Sequence, residues 1–381
     1  MMFRVIGCAI LYLILVSPSF ALEPISPRIV NGKPTTLMQF PSFVSLYYDR
    51  IEYDGRFSPV SFCGGTLLDD RHVLTAAHCL FDGRGQLDIA WLLFTVAGQF
   101  DNESDFPHSN IKTVRAEAVF YHPNYQDSSN ALWANDIGII RLERELNGQG
   151  FVQRPKDQKY RFGFNGVDDE NNGFRFETVG HGNTRSGRKE DDRLLFTTMF
   201  YVSNARCQLD ITPFGLTLNI HHLCFKGDGI NPETELSNGT CQGDSGGPIF
   251  WNNAGHLIQV GITSFGPSEC GSGFQRSKVT SVFTEIYGYR EWIDGVLAGT
   301  IDANLLLTEE DRLAYVDDGV IISTEPPEPE PESADTAAVV NTGAGGSWSW
   351  LWSVLLLAYA YLRRSNYIIH TFDEDYIRYN D

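Results

Sequence analysis

The chain has 381 residues, enough for one large domain with additional segments, and its many glycines favour turns between short elements. Its formal net charge of −19 argues against a nucleic-acid partner, because phosphate binding needs clustered Lys and Arg side chains. The apolar and aromatic content is ordinary for a globular protein and excludes no further class.

Residues 1–21 have the pattern of a secretory signal peptide. Arg4 supplies positive charge, Val5–Val16 is a short apolar run, and Ser19-Phe20-Ala21 has the small residues of a cleavage site. A membrane anchor is the alternative, but the run is shorter than the ~20 residues of a span and is followed by Pro18. We therefore expect a chain that is secreted or displayed at the cell surface.

The cysteines predict disulfide bonds. Of the seven, Cys8 would leave with the signal peptide, and an even set in a secreted chain favours pairing. A zinc site is the alternative, and the absence of any CxxC pair argues against it. Spacing alone leaves the pairing open. The cysteines of the mature chain are Cys63, Cys79, Cys207, Cys224, Cys241 and Cys270.

Residues 29–298 alternate short apolar runs with turn residues, which predicts an all-β domain. Residues 154–173 are polar and interrupt this rhythm, so we expect a surface loop that joins two halves. In Tyr287–Leu297 the apolar residues fall three or four apart, which predicts a single C-terminal helix. The predicted strands include Phe43–Tyr48, Thr66–Leu68, Leu92–Ala97, Ile137–Leu142, Leu195–Val202, Leu257–Phe265 and Val282–Ile286.

The strongest chemical motif is GDSGGP at Gly243–Pro248. A serine hydroxyl is a weak nucleophile and needs a general base to take its proton. The glycines permit a sharp turn, so the N–H groups of Gly243 and Ser245 could point at one developing oxyanion. A glycine-rich turn with an incidental serine is the alternative.

Two further motifs supply groups that could activate Ser245. TAAHC at Thr75–Cys79 contains His78, and histidine suits a general base because it titrates near neutral pH. NDIGII at Asn135–Ile140 places Asp136 at the start of an apolar strand, where a carboxylate could orient an imidazole. Each motif is weak alone, since a lone histidine is more often structural and an acid at a strand start is more often a turn residue.

Taken in order, the His, Asp and Ser motifs resemble those of the chymotrypsin (trypsin-like) serine proteases over residues 29–298. Four other segments agree with that family: RIVNG at 28–32, CGGTL at 63–67, YHPNY at 121–125 and SFG at 264–266. The resemblance implies two antiparallel six-stranded β-barrels with a C-terminal α-helix, and a site in the cleft between them.

The same resemblance implies a serine endopeptidase that forms an acyl-enzyme, with His78, Asp136 and Ser245 as its triad. Gly243 and Ser245 would form the oxyanion hole. A catalytically silent homologue used for binding or adhesion is the alternative, although such proteins usually lose a triad residue. The family's disulfide pairing would be Cys63–Cys79, Cys207–Cys224 and Cys241–Cys270.

Family resemblance further makes residues 22–28 an activation propeptide. Cleavage after Arg28 would free the α-amino group of Ile29, which would be buried beside the carboxylate of Asp244. Because a buried carboxylate needs a partner charge, this pair would order the oxyanion loop. The expected partners are protein or peptide substrates and an activating trypsin-like protease.

Substrate preference follows from the family's pocket positions. Gly239 would form the pocket base, Ser281 would narrow it, and Ser264, Phe265 and Gly266 would form the substrate-binding strand. None of these residues offers an acid to Arg or Lys, so we expect an apolar or medium-sized residue before the scissile bond. Glu269 is the nearby acid that could alter this preference.

No cofactor is expected. Asp101, Glu103 and Asp105 lie where some relatives bind calcium, and oxygen ligands suit that ion. A solvated acidic loop is the interpretation we favour, and calcium stays the alternative.

The C-terminal part changes character. Residues 299–346 read as an acidic, Pro/Glu- and Gly-rich linker, 347–364 as a hydrophobic segment, and 365–381 as a polar tail. The Gly-Gly pair, the apolar run Trp348–Leu362 and Arg363-Arg364 resemble the bacterial GlyGly-CTERM sorting tail; a single-span anchor is the alternative. Under either interpretation the chain contacts a membrane at least transiently. We also expect a monomer.

Overall fold

The computed structural model describes residues 29–82, 85–87, 94–98, 101–108, 111–147, 150–158, 161, 174–188 and 192–318. The signal peptide, Arg28 and the apolar run Trp348–Leu362 lie outside these ranges, so the expectations about them stay predictions. Within the described ranges, no helix is long and apolar enough to cross a membrane.

Six antiparallel strands close the first barrel in the order β7-β6-β2-β4-β5-β8, and β7 also pairs with β8 to complete the ring. Its interior is a continuous cluster of buried aliphatic side chains such as Leu46, Val96 and Ile140. The short strand β3 pairs with β2 outside the ring. The bounds are β2 (Phe43–Arg50), β3 (Arg56–Phe57), β4 (Cys63–Leu67), β5 (His72–Thr75), β6 (Phe94–Gly98), β7 (Lys112–Tyr121) and β8 (Gly138–Leu142).

The second barrel has the ring order β10-β11-β14-β13-β12-β9 and is closed by the pairing of β9 with β10. Its core is aromatic: the ring of Phe225 lies 4.9 Å from Phe176 and 5.3 Å from Phe283 in edge-on contacts. The short strand β1 pairs with β10. The bounds are β1 (Lys33–Pro34), β9 (Phe176–Gly180), β10 (Leu195–Val202), β11 (His222–Gly227), β12 (Pro248–Asn253), β13 (His256–Phe265) and β14 (Ser281–Glu285).

The prediction of two antiparallel six-stranded barrels is therefore confirmed. The chain passes from the first to the second between β8 and β9; most of the loop expected at residues 154–173 lies outside the described residues, so that expectation stays a prediction. The three disulfides of the family pairing are also present: Cys63–Cys79, Cys207–Cys224 and Cys241–Cys270. The predicted C-terminal helix is α3 (Arg290–Leu297), which buries Ile293 and Val296 against the core of the first barrel.

The expectation of a single helix is wrong, because α1 (Ile51–Asp54) and α2 (Asn204–Ile211) also form. Helix α2 is held by tertiary contacts, which a local sequence pattern does not show. Its Cys207 is bonded to Cys224 on β11, and its buried Asp210 accepts the backbone N–H groups of Arg276 and Ser277 at 2.7 and 2.6 Å.

The linker expected from residue 299 is corrected at its start, because the fold continues through β15 (Leu305–Leu306) and α4 (Glu309–Asp318). Strand β15 pairs with the edge of β7, and Leu307 is buried in the first barrel's core cluster. Thr308 and Asp311 bond each other's side chain and backbone N–H, which is the capping box that starts α4. A strand edge and an apolar contact in space, rather than local composition, order this acidic segment.

Arg312 fastens α4 to the barrel. Its side chain is 4% exposed, it donates to the carbonyl of Ala116 at 2.6 Å, and it pairs with Glu309 at 3.2 Å. The acceptor is accessible because the pairing of β7 with β8 shifts register between Ala116 and Ala118. These partners offset the cost of burying the guanidinium, and its removal would leave the buried carbonyl of Ala116 without this donor.

We predict that Arg312→Ala lowers the free energy of unfolding by about 2 kcal/mol, because the buried carbonyl of Ala116 loses its donor. Arg56→Ala is the control, since that side chain is 69% exposed and its pairing with Asp54 should contribute little to stability. Urea unfolding of both variants measures the difference, and equal midpoints would show that α4 is not fastened as described.

Candidate active site

His78 begins a short 3₁₀ turn after β5 and is 7% exposed. The disulfide from Cys79 to Cys63 ties this turn to β4. The backbone N–H of His78 donates to Asp136 Oδ1 at 2.8 Å, and Nδ1 lies 2.7 Å from Asp136 Oδ2. Within the described residues the ring bonds Asp136 alone and makes no hydrogen bond to Ser245; such contacts are often long before substrate binds.

Asp136 is fully buried just before β8. Ser264, on β13 of the other barrel, donates to Asp136 Oδ2 at 2.5 Å. Burial by itself would raise the pKa of Asp136, but the charge of His78 and the hydrogen bonds from His78 and Ser264 together outweigh it, so this pKa lies below its ordinary value. The carboxylate therefore stays ionised and can stabilise an imidazolium beside it.

Ser245 lies in a tight turn between the barrels and is 2% exposed. Its carbonyl accepts the N–H of Gly64, on β4, at 2.7 Å. Gly246 has a φ of +73°, and a Cβ there would collide with Thr75 Oγ1 and Gly64 O. Only glycine fits this position, and the close approach brings the Ser245 turn against the strand that leads to His78.

The backbone N–H groups of this turn differ in their use. Those of Asp244 and Gly247 donate to carbonyls within the turn at 3.0 Å. Those of Gly243 and Ser245 have no acceptor in the part of the chain that the structure describes. Gly243 has a φ of +93°, and a Cβ there would lie 3.0 Å from Gly182 Cα. Two neighbouring donors are thus available to a developing oxyanion.

Ile29 and Asp244 are both buried. The N–H of Val30, next to Ile29, donates to the carbonyl of Gly239 at 3.0 Å, so the start of the domain reaches the expected pocket base. Asp244 Oδ1 accepts the N–H of Gly182 at 2.9 Å, and a Cβ at Gly182 would collide with this carboxylate. The backbone at Gly182 therefore both leaves room for the carboxylate of Asp244 and donates a hydrogen bond to it.

Gly239, the expected pocket base, lies beside Ser281, the residue expected to narrow the pocket: a Cβ at Gly239 would lie 3.5 Å from Ser281 Oγ. Thr240, which follows Gly239, donates to Ser281 Oγ from both its backbone N–H and its hydroxyl, each at 2.9 Å. Ser281 itself is fully buried. Neither position carries a charge, and Glu269 is exposed.

The strand that the sequence predicts to bind substrate makes one contact that the sequence analysis missed. Ser264 directs its hydroxyl to Asp136, whereas the sequence only placed it on a strand near the substrate. Phe265 is fully buried, with its ring 5.6 Å from the rings of both Trp133 and His222. Neither Trp133 nor His222 lies in a recognisable motif, so only the packing in space identifies them.

Comparison with known proteins decides the family. The sequence profile of the family described as Trypsin matches residues 29–293. This chain belongs to the trypsin family. It is 30% identical to "Trypsin, alkaline C" of Manduca sexta over 74% of this chain and 98% of that one. It is 27% identical to "CLIP domain-containing serine protease B4" of Anopheles gambiae over 73% of this chain and 72% of that one.

A solved structure agrees on the fold. Mouse neuropsin, described as a serine protease, superposes with a TM-score of 0.52 at 22% identity, covering 71% of this chain and 100% of that one. The family assignment and the relatives together make this protein a serine endopeptidase. "Chymotrypsin-like elastase family member 1" of Homo sapiens is 29% identical over 71% of this chain and 93% of its own.

The acidic loop of this trypsin-family protein does not converge on a cation. Asp101 Oδ1 accepts the N–H of Leu37 at 2.8 Å, Glu103 Oε1 accepts two bonds from Ser61 at 2.7 Å, and Asp105 is exposed. The geometry therefore does not support the calcium alternative. Within the described ranges, one group has the spacing of metal ligands, and two of its members form a disulfide: Cys63, His78 and Cys79.

His222 is a buried titratable group behind the triad. Burial lowers the pKa of His222 from 6.5 to about 4, although the negative charge of Asp136 opposes this effect. Between about pH 6.5 and pH 4, His222 is therefore protonated in the unfolded chain and neutral in the folded chain. The folded state loses stability as the pH falls through that window.

We predict that His222→Met reduces this acid sensitivity. The difference in unfolding free energy between pH 7.5 and pH 4.5 should shrink by about 2–3 kcal/mol, because the variant lacks the His222 imidazole that must stay neutral in the folded state. Exposed His256 provides the control, and His256→Gln should leave the pH dependence as it is. Denaturant unfolding at the two pH values tests this; equal slopes for wild type and His222→Met would contradict it.

Proposed function

We propose that this endopeptidase is made as a secreted zymogen and hydrolyses protein substrates through an acyl-enzyme. Ser245 attacks the scissile carbonyl, His78 takes its proton and passes it to the leaving amine, and Asp136 holds the imidazole. The N–H groups of Gly243 and Ser245 stabilise the oxyanion. The observation that carries this proposal is the contact of both Asp136 oxygens with His78 beside two N–H donors that are left free.

The pocket favours an apolar or medium-sized residue before the scissile bond. Arg or Lys would bring a charge that needs a buried carboxylate, and desolvation is costly without one. Gly239 offers no side chain, Ser281 Oγ is already bonded by Thr240, and Glu269 is exposed. These contacts support a neutral pocket.

Activation depends on the bond between Arg28 and Ile29. Ile29 is buried, and the buried carboxylate of Asp244 accepts the N–H of Gly182. Both observations support a role for these residues in ordering the oxyanion loop after cleavage. Since cleavage follows an arginine, the activator must accept a basic residue. We propose a separate trypsin-like protease as activator and a protease that acts as a monomer outside the cytoplasm.

We predict that Ser245→Ala in the activated enzyme lowers kcat by more than about a thousandfold and leaves the melting temperature unchanged, because the side chain is small and makes no hydrogen bond within the described residues. Exposed Ser272 supplies the control, and Ser272→Ala should retain full activity. Kinetics on a peptide p-nitroanilide measure both. Wild type that neither turns over substrate nor reacts with an organophosphate would favour the silent homologue instead.

We also predict that the purified proenzyme does not activate itself, because its neutral pocket should reject Arg28. The proenzyme should stay intact until a trace of trypsin is added, as followed by gel and by the appearance of an N-terminus at Ile29. The Ser245→Ala proenzyme is the control and should be cleaved by trypsin at the same rate. Self-conversion of wild type that rises with its own concentration would overturn the neutral pocket.

A further inference from the structure

Glu103 is a buried carboxylate that the mechanism above does not use. It is 1% exposed and lies in the short turn 103–105 between β6 and β7. Its Oε1 accepts the backbone N–H and the hydroxyl of Ser61, both at 2.7 Å, and lies 3.5 Å from the hydroxyl of Tyr47. A buried carboxylate that accepts these bonds in place of water holds Ser61 firmly, because hydrogen bonds to a charged acceptor are stronger than those to a neutral one.

Ser61 in turn faces the oxyanion loop. A Cβ on Gly243 would lie 3.7 Å from the carbonyl oxygen of Ser61, so the two backbones are in near contact. Both residues also line one small cavity of about 200 Å³ beside the site. The backbone of Ser61, which Glu103 holds by hydrogen bonds, therefore packs against the loop that carries the Gly243 N–H.

The same segment also grips the second barrel. The N–H of Glu103 donates to Asp192 O at 2.7 Å, and the carbonyl of Asp101 accepts the N–H of Leu194 at 2.6 Å. His181 Nε2 lies 3.4 Å from that Asp101 carbonyl, and its neighbours in sequence are the two glycines that would collide with Asp244 if they had a Cβ. Segment 101–103 is thus connected to the oxyanion loop by two routes, one through Ser61 and one through His181.

We propose that Glu103 is a positioning residue for the oxyanion hole, acting through Ser61 on Gly243. This inference rests on the proposed oxyanion role of the Gly243 N–H. If Ser61 drifts, the Gly243 donor loses its alignment, and alignment matters most when charge develops on the substrate oxygen. Substrate binding in the ground state, which depends on the pocket, should be spared.

The test compares Glu103→Ala, Glu103→Gln and Asp105→Ala in the trypsin-activated enzyme, with active sites counted by titration. We expect Glu103→Ala to lower kcat at least tenfold with KM within twofold. Binding of a peptide trifluoromethyl ketone, whose adduct carries an oxyanion, should weaken by a similar factor. Glu103→Gln keeps an acceptor for Ser61 and should recover most of kcat. Asp105→Ala, in the same turn but exposed, should match wild type.

A lower melting temperature with unchanged kcat per titrated site in Glu103→Ala would overturn the proposal, because it would show a purely structural role. If Glu103→Ala does not fold, Ser61→Ala removes one of the two donors alone, and we expect a kcat two- to fivefold below wild type with KM unchanged; wild-type kcat would overturn the proposal. Loss of turnover in wild type itself would instead refute the proposed catalytic mechanism, so the two failures are distinct.

Discussion

The structure depends on keeping the carboxylate of Asp136 charged although it is fully buried. A buried charge is tolerated only when its acceptor sites are filled, and here the donors come from both barrels: His78 from the first and Ser264 from the second. The two barrels must therefore meet in one register. This arrangement also brings the turn of Ser245 against the strand that leads to His78, since Gly246 lies against Thr75.

Asp244 obeys the same rule at the neighbouring position. Its carboxylate is 1% exposed and accepts the N–H groups of Gly182 and Cys241, each at 2.9 Å. Two glycines provide the room, since a Cβ at Gly180 or Gly182 would collide with it. Together with Glu103, these acids place three buried carboxylates along the junction of the barrels. Each orders backbone near the nucleophile, which links stability to the geometry of the site.

The proposed substrate pocket differs from these buried carboxylates, because the residues assigned to it are uncharged. Its proposed base is Gly239, beside which Ser281 already accepts two hydrogen bonds from Thr240. None of these three residues carries a charge, which supports the neutral pocket proposed above. In this proposal, buried charges order the catalytic groups and an uncharged pocket receives the substrate side chain.

The sequence by itself determined the parts that depend on local pattern. Apolar runs between turn residues predicted an all-β domain. The motifs around His78, Asp136 and Ser245, taken in order, carried the family resemblance that implied the two barrels and the chemistry, because each motif is a short run of neighbouring residues. Tertiary structure alone decided the rest. The contact of Ser264 with Asp136 joins residues 128 positions apart. The buried carboxylate of Glu103 depends on Ser61, from the segment between β3 and β4, and the docking of 299–318 requires the free edge of β7. Such contacts leave no trace in local composition, because the partners that make them favourable are distant along the chain and adjacent only after folding.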